Sequence, residues 1–332
     1  MRRLRCALAA LLAVAALLAA APPPARAQRP AKVPRIGYLL LGPLSAEPSP
    51  ERAAFLTGLR ELGYVPGWNL EIEYRSASLR PEMLPDLARE LVDLKVDVIV
   101  AVGTQVVEAA RDVSRTVPIV FLTVADLVGT GFVASLARPG GNLTGQTFMS
   151  PELGGKRLAL LKEAFPRISR VAVLWNPDNP SCVLEWKLTE PAARRLGLTL
   201  RPVELRRAPD LDRALADVAR EKPDALVTIP DPLSSSVRTF IIEFAARHRL
   251  PAIYGFREFV DAGGLLFYGA NIPESFRRAA AQVDKILRGV RPGVIPVEQP
   301  TKFEMVVNLK TARALRFTLP QSLLFQADRV IE

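Results

Sequence analysis

The chain has 332 residues, 49% of them hydrophobic, and carries 44 Lys and Arg against 34 Asp and Glu, a formal charge of +10. That length and apolar content suffice for one or two packed domains. A single His and two Cys exclude a histidine-rich metal centre and a disulfide framework. The basic residues lie scattered in pairs such as Arg194-Arg195 and Arg277-Arg278, without the clustering of a nucleic-acid surface.

Residues 1–27 read as a signal peptide. Arg2, Arg3 and Arg5 precede an apolar run from Ala7 to Ala21, Pro22-Pro23-Pro24 breaks any helix, and Ala25-Arg26-Ala27 offers small residues to a signal peptidase. The run is shorter than the roughly 20 residues that span a bilayer. Cleavage is expected before Gln28, placing the mature protein in the periplasm. Loss of the four arginines of this segment lowers the charge from +10 to +6. Cys6 leaves with it and stands before the apolar run, which excludes a lipoprotein. Cys182 then remains alone, unable to form an internal disulfide.

After a polar leader at 28–34, a strand is expected at Arg35–Leu41, followed by a proline-bearing loop at 42–50 that contains Ser45. A helix over 51–62 places Ala54, Leu56, Leu59 and Leu62 on one face, and Gly63 suits its left-handed end. Next come a strand at 70–74, a helix over 81–94 with Leu84, Leu87, Leu91 and Leu94 as its stripe, and a strand at 96–102. That last strand is apolar almost throughout, as parallel strands buried on both faces are. Gly103-Thr104 opens a third helix over 105–114, and a strand at 119–124 ends at Asp126. The glycine-rich stretch 138–148 (RPGGNLTGQTF) suits a strand crossing out of this first unit.

A helix over 152–163 then starts a second unit that repeats the first. Arg35-Ile36-Gly37-Tyr38-Leu39 returns as Arg170-Val171-Ala172-Val173-Leu174, and Val96-Asp97-Val98-Ile99-Val100 as Pro223-Asp224-Ala225-Leu226-Val227. Val117-Pro118-Ile119-Val120-Phe121 likewise returns as Leu250-Pro251-Ala252-Ile253-Tyr254. Each telling is a βα repeat, so the chain is an α/β protein of two similar units with a crevice between them. A strand at 263–269, an amphipathic helix over 275–289, a strand at 303–309 and a short helix at 310–315 follow. The last two come after both units are complete and must return to one or both of them, so the chain is expected to cross between the units more than once, which makes a hinge.

Ligands of open parallel sheets bind outside the carboxyl ends of the strands. That rule selects the loop around Ser45, Thr104, Asp126, the loop from Asn176 to Asn179, Asp231 and Tyr254. Thr104 begins a helix whose free N–H groups suit a carboxylate. Asp126 and Asp231 suit an ammonium or hydroxyls, and Tyr254, Phe256 and Trp175 an apolar wall. Catalytic constellations are thin. His248 stands in the run Arg247-His248-Arg249 near a helix end, where it serves the helix dipole. Neither Gly-x-Ser-x-Gly nor His-Glu-x-x-His occurs, and Gly140-Gly141-Asn142-Leu143-Thr144-Gly145 lacks the lysine of a phosphate loop. No cofactor or metal is expected, and the chain is not read as an enzyme.

Several separated blocks resemble one family. They include Gly58-Leu59-Arg60-Glu61-Leu62-Gly63-Tyr64, Ser135-Leu136-Ala137-Arg138-Pro139-Gly140-Gly141-Asn142, Val283-Asp284-Lys285-Ile286-Leu287-Arg288-Gly289 and Pro296-Val297-Glu298-Gln299-Pro300-Thr301-Lys302-Phe303-Glu304. Across nearly all of the mature chain they are similar to the ABC-transporter substrate-binding proteins of the group with tryptophan- and tyrosine-binding members. The resemblance implies a type I periplasmic-binding-protein fold: two Rossmann-like lobes with parallel sheets, a three-stranded hinge, and the ligand in the cleft. It implies lobes at 34–146 with 272–298 and at 147–271 with 299–332. By position it puts ligand contacts at Ser45, Thr104, Asp126, Asn176, Asp231, Tyr254 and Asn271. In one departure, the family's Asp-Pro-Val-Gly reads Asp126-Leu127-Val128-Gly129, without the proline that stiffens that loop. The expected partners are a small organic solute, an amino acid or related carboxylate, and a permease and ATPase complex, the membrane being met only through the permease. The alternatives are a ligand sensor for a membrane receptor and a hydrolase on the same scaffold.

Overall fold

Short runs rich in Val and Ile form the strands, and helices return the chain over the sheets between them. The computed structural model describes residues 33–332, so the expected signal peptide lies outside the described residues. The first sheet holds β1 (Arg35–Leu40), β2 (Glu71–Ser76), β3 (Val98–Val102), β4 (Ile119–Val124) and β5 (Leu143–Thr147). Their order is β2-β1-β3-β4-β5, all parallel. The second sheet holds β6 (Arg170–Trp175), β7 (Thr199–Glu204), β8 (Ala225–Thr228), β9 (Ala252–Tyr254), β10 (Leu266–Ala270), β11 (Phe303–Asn308) and β12 (Arg329–Ile331). Its order is β12-β11-β10-β9-β8-β6-β7. From β7 to β10 it repeats the first sheet's order, with all of those pairs parallel, and β11 adds antiparallel to β10. The repeat in the sequence is therefore a repeat of topology.

The longer helices are α1 (Pro50–Glu61), α2 (Leu84–Asp93), α3 (Thr104–Val113), α4 (Ser150–Ala164), α5 (Pro180–Arg195), α6 (Leu211–Glu221), α7 (Arg238–Arg247) and α8 (Ile272–Leu287). On the first sheet, α2 and α3 cover one face and α1 and α8 the other. On the second, α4 and α5 cover one face and α6 and α7 the other. Two of these helices have changed lobes. α4 follows β5 of the first sheet but packs on the second, and α8 follows β10 of the second but packs on the first. Each lobe thus has its core completed by a helix arriving from the other. For α8 the buried stripe is Phe276, Ala279, Ala280 and Val283, at most 2% exposed. Small residues there let α1 approach closely. A Cβ on Gly58 would lie 2.4 Å from the Arg277 carbonyl oxygen, so only glycine fits.

Three segments cross between the sheets, at 148–149, at Asn271 and at 299–302. They are tied side by side: Thr147 N–H donates to the Glu298 carbonyl at 2.8 Å, and Asn271 N–H to that of Lys302 at 3.2 Å. The strand expected from 138 begins only at Leu143, because Gly140 and Gly141 turn with φ of 72° and 58°. The helix Gln321–Gln326 and the strand β12 are additions that lie below the length at which hydrophobic periodicity is readable.

Candidate ligand-binding cleft

The carboxyl ends of both sheets face a common cleft, and it holds a cavity of about 590 Å³. That volume lies within the roughly 300–1,000 Å³ of small-molecule sites. The first lobe contributes Tyr38, Leu41, Pro43 and Glu51; the second contributes Pro232, Arg238, Phe256, Glu258 and Glu304; the crossing at Asn271 contributes that residue. β1 and β3 form the wall where chain direction over the sheet reverses, the switch point at which doubly wound sheets bind ligands. Thr123, on the cavity wall at an irregularity of β4, has φ of 55°, a conformation strained for a β-branched residue and typical of functional loops.

Polar groups of the wall are largely mutually bonded. Asn271 caps α8 by accepting from Glu274 N–H at 3.0 Å, and its amide donates to Glu304. Arg257 donates to the second Glu304 oxygen at 2.9 Å and pairs with Asp261 at 3.4 Å. The Ser235 hydroxyl donates to Glu258, and Arg238 donates to the Ser235 carbonyl at 2.9 Å. Burial pushes the Glu258 carboxyl above the usual carboxylate range, opposed by Ser235 and Arg238 and reinforced by Glu51. Tyr38 is 3% exposed, packed on Phe55 and Tyr74, and burial pushes its hydroxyl pKa up, so it stays neutral.

A second cavity of about 70 Å³ adjoins the first where the lobes touch. There Thr104 Oγ1 and Ser181 Oγ lie 2.7 Å apart, and Gln105 Nε2 donates to the Asp178 carbonyl at 3.0 Å. Phe148, on the first crossing, stacks on Phe256 with centroids 6.0 Å apart. The two lobes are thus bonded to each other beside the larger cavity.

Of the residues expected at the site, Asn271 lines the larger cavity and Thr104 the smaller. The other five line neither. Ser45 is exposed; its hydroxyl donates to the Glu47 carbonyl, and its own carbonyl accepts from Arg52 at 2.6 Å. Asp126 is exposed with φ of 49°, and its carboxylate accepts from Gly129 N–H at 3.0 Å, so it holds its own turn. Asp231 is 2% exposed and caps a short helix, accepting from Leu233 N–H at 2.8 Å. Its other oxygen accepts from Asn179 at 2.8 Å and Asn176 at 3.3 Å. Burial raises the Asp231 carboxyl, and those hydrogen bonds oppose the rise. Tyr254 is 1% exposed and stacks on Phe259 at 4.7 Å within the second lobe's core. The cavity-lining residues not singled out from sequence include Tyr38, Glu51, Arg238, Glu258 and Glu304. Tyr38 lies within β1, Glu304 near the start of β11, and Glu51, Arg238 and Glu258 in first helical turns, so the strand-end rule does not select them.

A family model described as ABC transporter substrate binding protein matches residues 49–331. A tyrosine-binding protein of Clostridioides difficile (strain R20291) is 26% identical over 275 residues, covering 82% of this chain and 79% of the relative. Among solved structures, a conserved domain protein from Vibrio cholerae superposes with a TM-score of 0.84 at 28% identity, covering 90% of this chain and all of that one. An ABC domain in complex with L-Trp from Streptococcus pneumonia superposes at 0.82 with 21% identity, covering 90% of this chain and 99% of that one.

Proposed function

Because the chain belongs to the ABC transporter substrate binding protein family, we propose that it is the extracytoplasmic solute receptor of an ABC importer. It captures a small organic solute, an amino acid or close relative, by closing its two lobes, and hands it to a permease and ATPase complex. The fold is that of type I periplasmic binding proteins. The observation that carries the reading is the cavity of about 590 Å³, walled by both lobes and by the crossing at Asn271. The hydrogen bonds from Thr104 to Ser181 and from Gln105 to Asp178 support a closed arrangement held from both sides. The ligand class draws support from a relative that is named tyrosine-binding and a fold neighbour solved with L-Trp.

In this reading the moving bodies are 34–146 with 272–298 and 147–271 with 299–332. Asn271 contacts solute at the hinge, and Thr104 acts as a latch between the lobes. Asp126, Asn176, Asp231 and Ser45 hold the loops that shape the cleft, and Tyr254 braces the wall from behind. Arg257, Glu304 and Asp261 on the wall are engaged with one another rather than with a nucleophile, which favours capture over conversion. The leader removed before Gln28 directs the chain to the periplasm, and no helix among the described residues is long and apolar enough to cross a membrane.

A thermal-shift screen of amino acids, amines and carboxylates tests the proposal. A true ligand present at a hundred times its Kd adds about 2.7 kcal/mol of stability. If no small solute raises the unfolding temperature, the receptor reading fails.

A further inference from the structure

The charges on the cavity wall are unbalanced. Glu51, Glu258, Asp261 and Glu304 face two cations, Arg238 and Arg257. Arg257 is committed to Glu304 and Asp261, and Arg238 donates to the Ser235 carbonyl. Glu51 accepts no hydrogen bond and makes no ion pair among the described residues. Glu258 has a single donor, Ser235, on one of its two oxygens. These two carboxylates belong to opposite lobes, Glu51 in the first turn of α1 and Glu258 in the short helix Arg257–Asp261. Both line the same cavity, and Glu51 adds to the push that raises the Glu258 carboxyl.

An independent observation points to the same spot. Tyr38 is 3% exposed and lines the cavity, yet its hydroxyl makes no hydrogen bond among the described residues. A buried hydroxyl left open to a cavity is a group in want of a ligand atom.

We infer that the solute must carry a protonated amine, held between Glu51 and Glu258 beside the Tyr38 hydroxyl, and that a carboxylate is dispensable. This deepens the receptor reading and rests on it. An ammonium has three donors and no acceptor, matching two carboxylates and a hydroxyl oxygen. The rings of Tyr38, Phe256, Phe267 and Phe276 supply the apolar surface for the rest of the molecule. A solute with a carboxylate and no amine would add a negative charge to a wall already in acidic excess. The placement also gives closure its selectivity. Without a cation the two carboxylates oppose approach of the lobes, and an ammonium between them reverses that, so it binds the closed state in preference to the open one.

Calorimetric titration of the full mature chain with matched triples tests this. The triples are tryptophan with tryptamine and indole-3-propionate, and leucine with 3-methylbutylamine and 4-methylpentanoate, extended to the same trio built on any solute found by screening. The amine should bind within about tenfold of its parent amino acid, and the acid lacking the amine at least about a hundredfold more weakly, as loss of charge-assisted hydrogen bonds predicts. Glu51→Gln and Glu258→Gln should each weaken the amine-bearing solute about tenfold or more, with circular dichroism of the free protein unchanged. A deaminated acid that binds as tightly as its parent overturns the inference while the receptor reading stands, as do Gln variants that bind the amine like the wild type. Absence of binding by every solute overturns both.

Discussion

Replacing Arg157 with Met should destabilise the second lobe severely. Its side chain is fully buried, and Nε donates to the Tyr268 carbonyl at 2.9 Å, Nη2 to Ser150 Oγ at 2.7 Å and Nη1 to Glu185. Glu185 is 2% exposed, and its remaining donor is the Ser150 hydroxyl at 2.7 Å. Burial already pushes the Glu185 carboxyl upward against the opposing pull of Arg157. Removing the guanidinium leaves a buried carboxylate without its cation, a change that costs about 3–5 kcal/mol. At about 2–4 °C per kcal/mol for a protein near this size, the melting temperature should fall by about 6–20 °C. Adding Glu185→Leu removes the stranded charge, so the double variant should recover most of the loss. Urea unfolding at neutral pH, followed by far-UV circular dichroism, reads both. A single variant that loses less than about 1 kcal/mol, or a double variant no better than the single, would refute the reasoning. The consequence reaches the hinge, since Ser150 begins the helix after the first crossing and Tyr268 lies on β10 just before the second.

Thr104→Val removes the interlobe contact with Ser181; at about 1 kcal/mol for one hydrogen bond, solute affinity should fall about fivefold while the free protein melts unchanged. An unaltered Kd would mean that this contact plays no part in closure. Gly58→Ala forces a Cβ to within 2.4 Å of the Arg277 carbonyl, so α1 and α8 must separate at about 1–3 kcal/mol, outweighing the roughly 1 kcal/mol of helix propensity that alanine adds. A variant that melts higher than the parent would contradict the close approach. Asp224 accepts from Arg170 N–H, Ser169 N–H and the Ser169 hydroxyl at 2.8–2.9 Å, which hold its carboxyl below the usual range. Its unfolded form therefore binds protons first, so its stabilisation is complete above about pH 3.9 and is lost as pH falls through the lower folded value. Asp224→Asn should flatten stability against pH in that acid window, and an unchanged slope would exclude the assignment.

The sequence carried the scaffold further than the site. Runs such as Val98–Val102 are buried on all but their last residue, and the Leu84, Leu87 and Leu91 stripe faces the core, so alternation and periodicity reported what burial enforces. Strand ends were also readable, which is why Thr104 was singled out and falls on a cavity wall. The direction of a side chain at a strand end was not. Tyr254 ends β9 pointing into the core against Phe259, and Asp231 beside Pro232 is used as a helix cap. Glu51 and Glu258 stand in first helical turns, where acidic residues are common for the helix dipole alone. Their approach depends on two lobes meeting, and so does that of Thr104 and Ser181, 77 residues apart in sequence. Only tertiary structure brings such pairs together.

The most direct test of the account is native mass spectrometry of the mature chain during titration with amino acids and their amines. The account predicts one small solute bound per chain, with the adduct lost on unfolding and regained on refolding in its presence. A chain that keeps its bare mass against every member of the panel would contradict it.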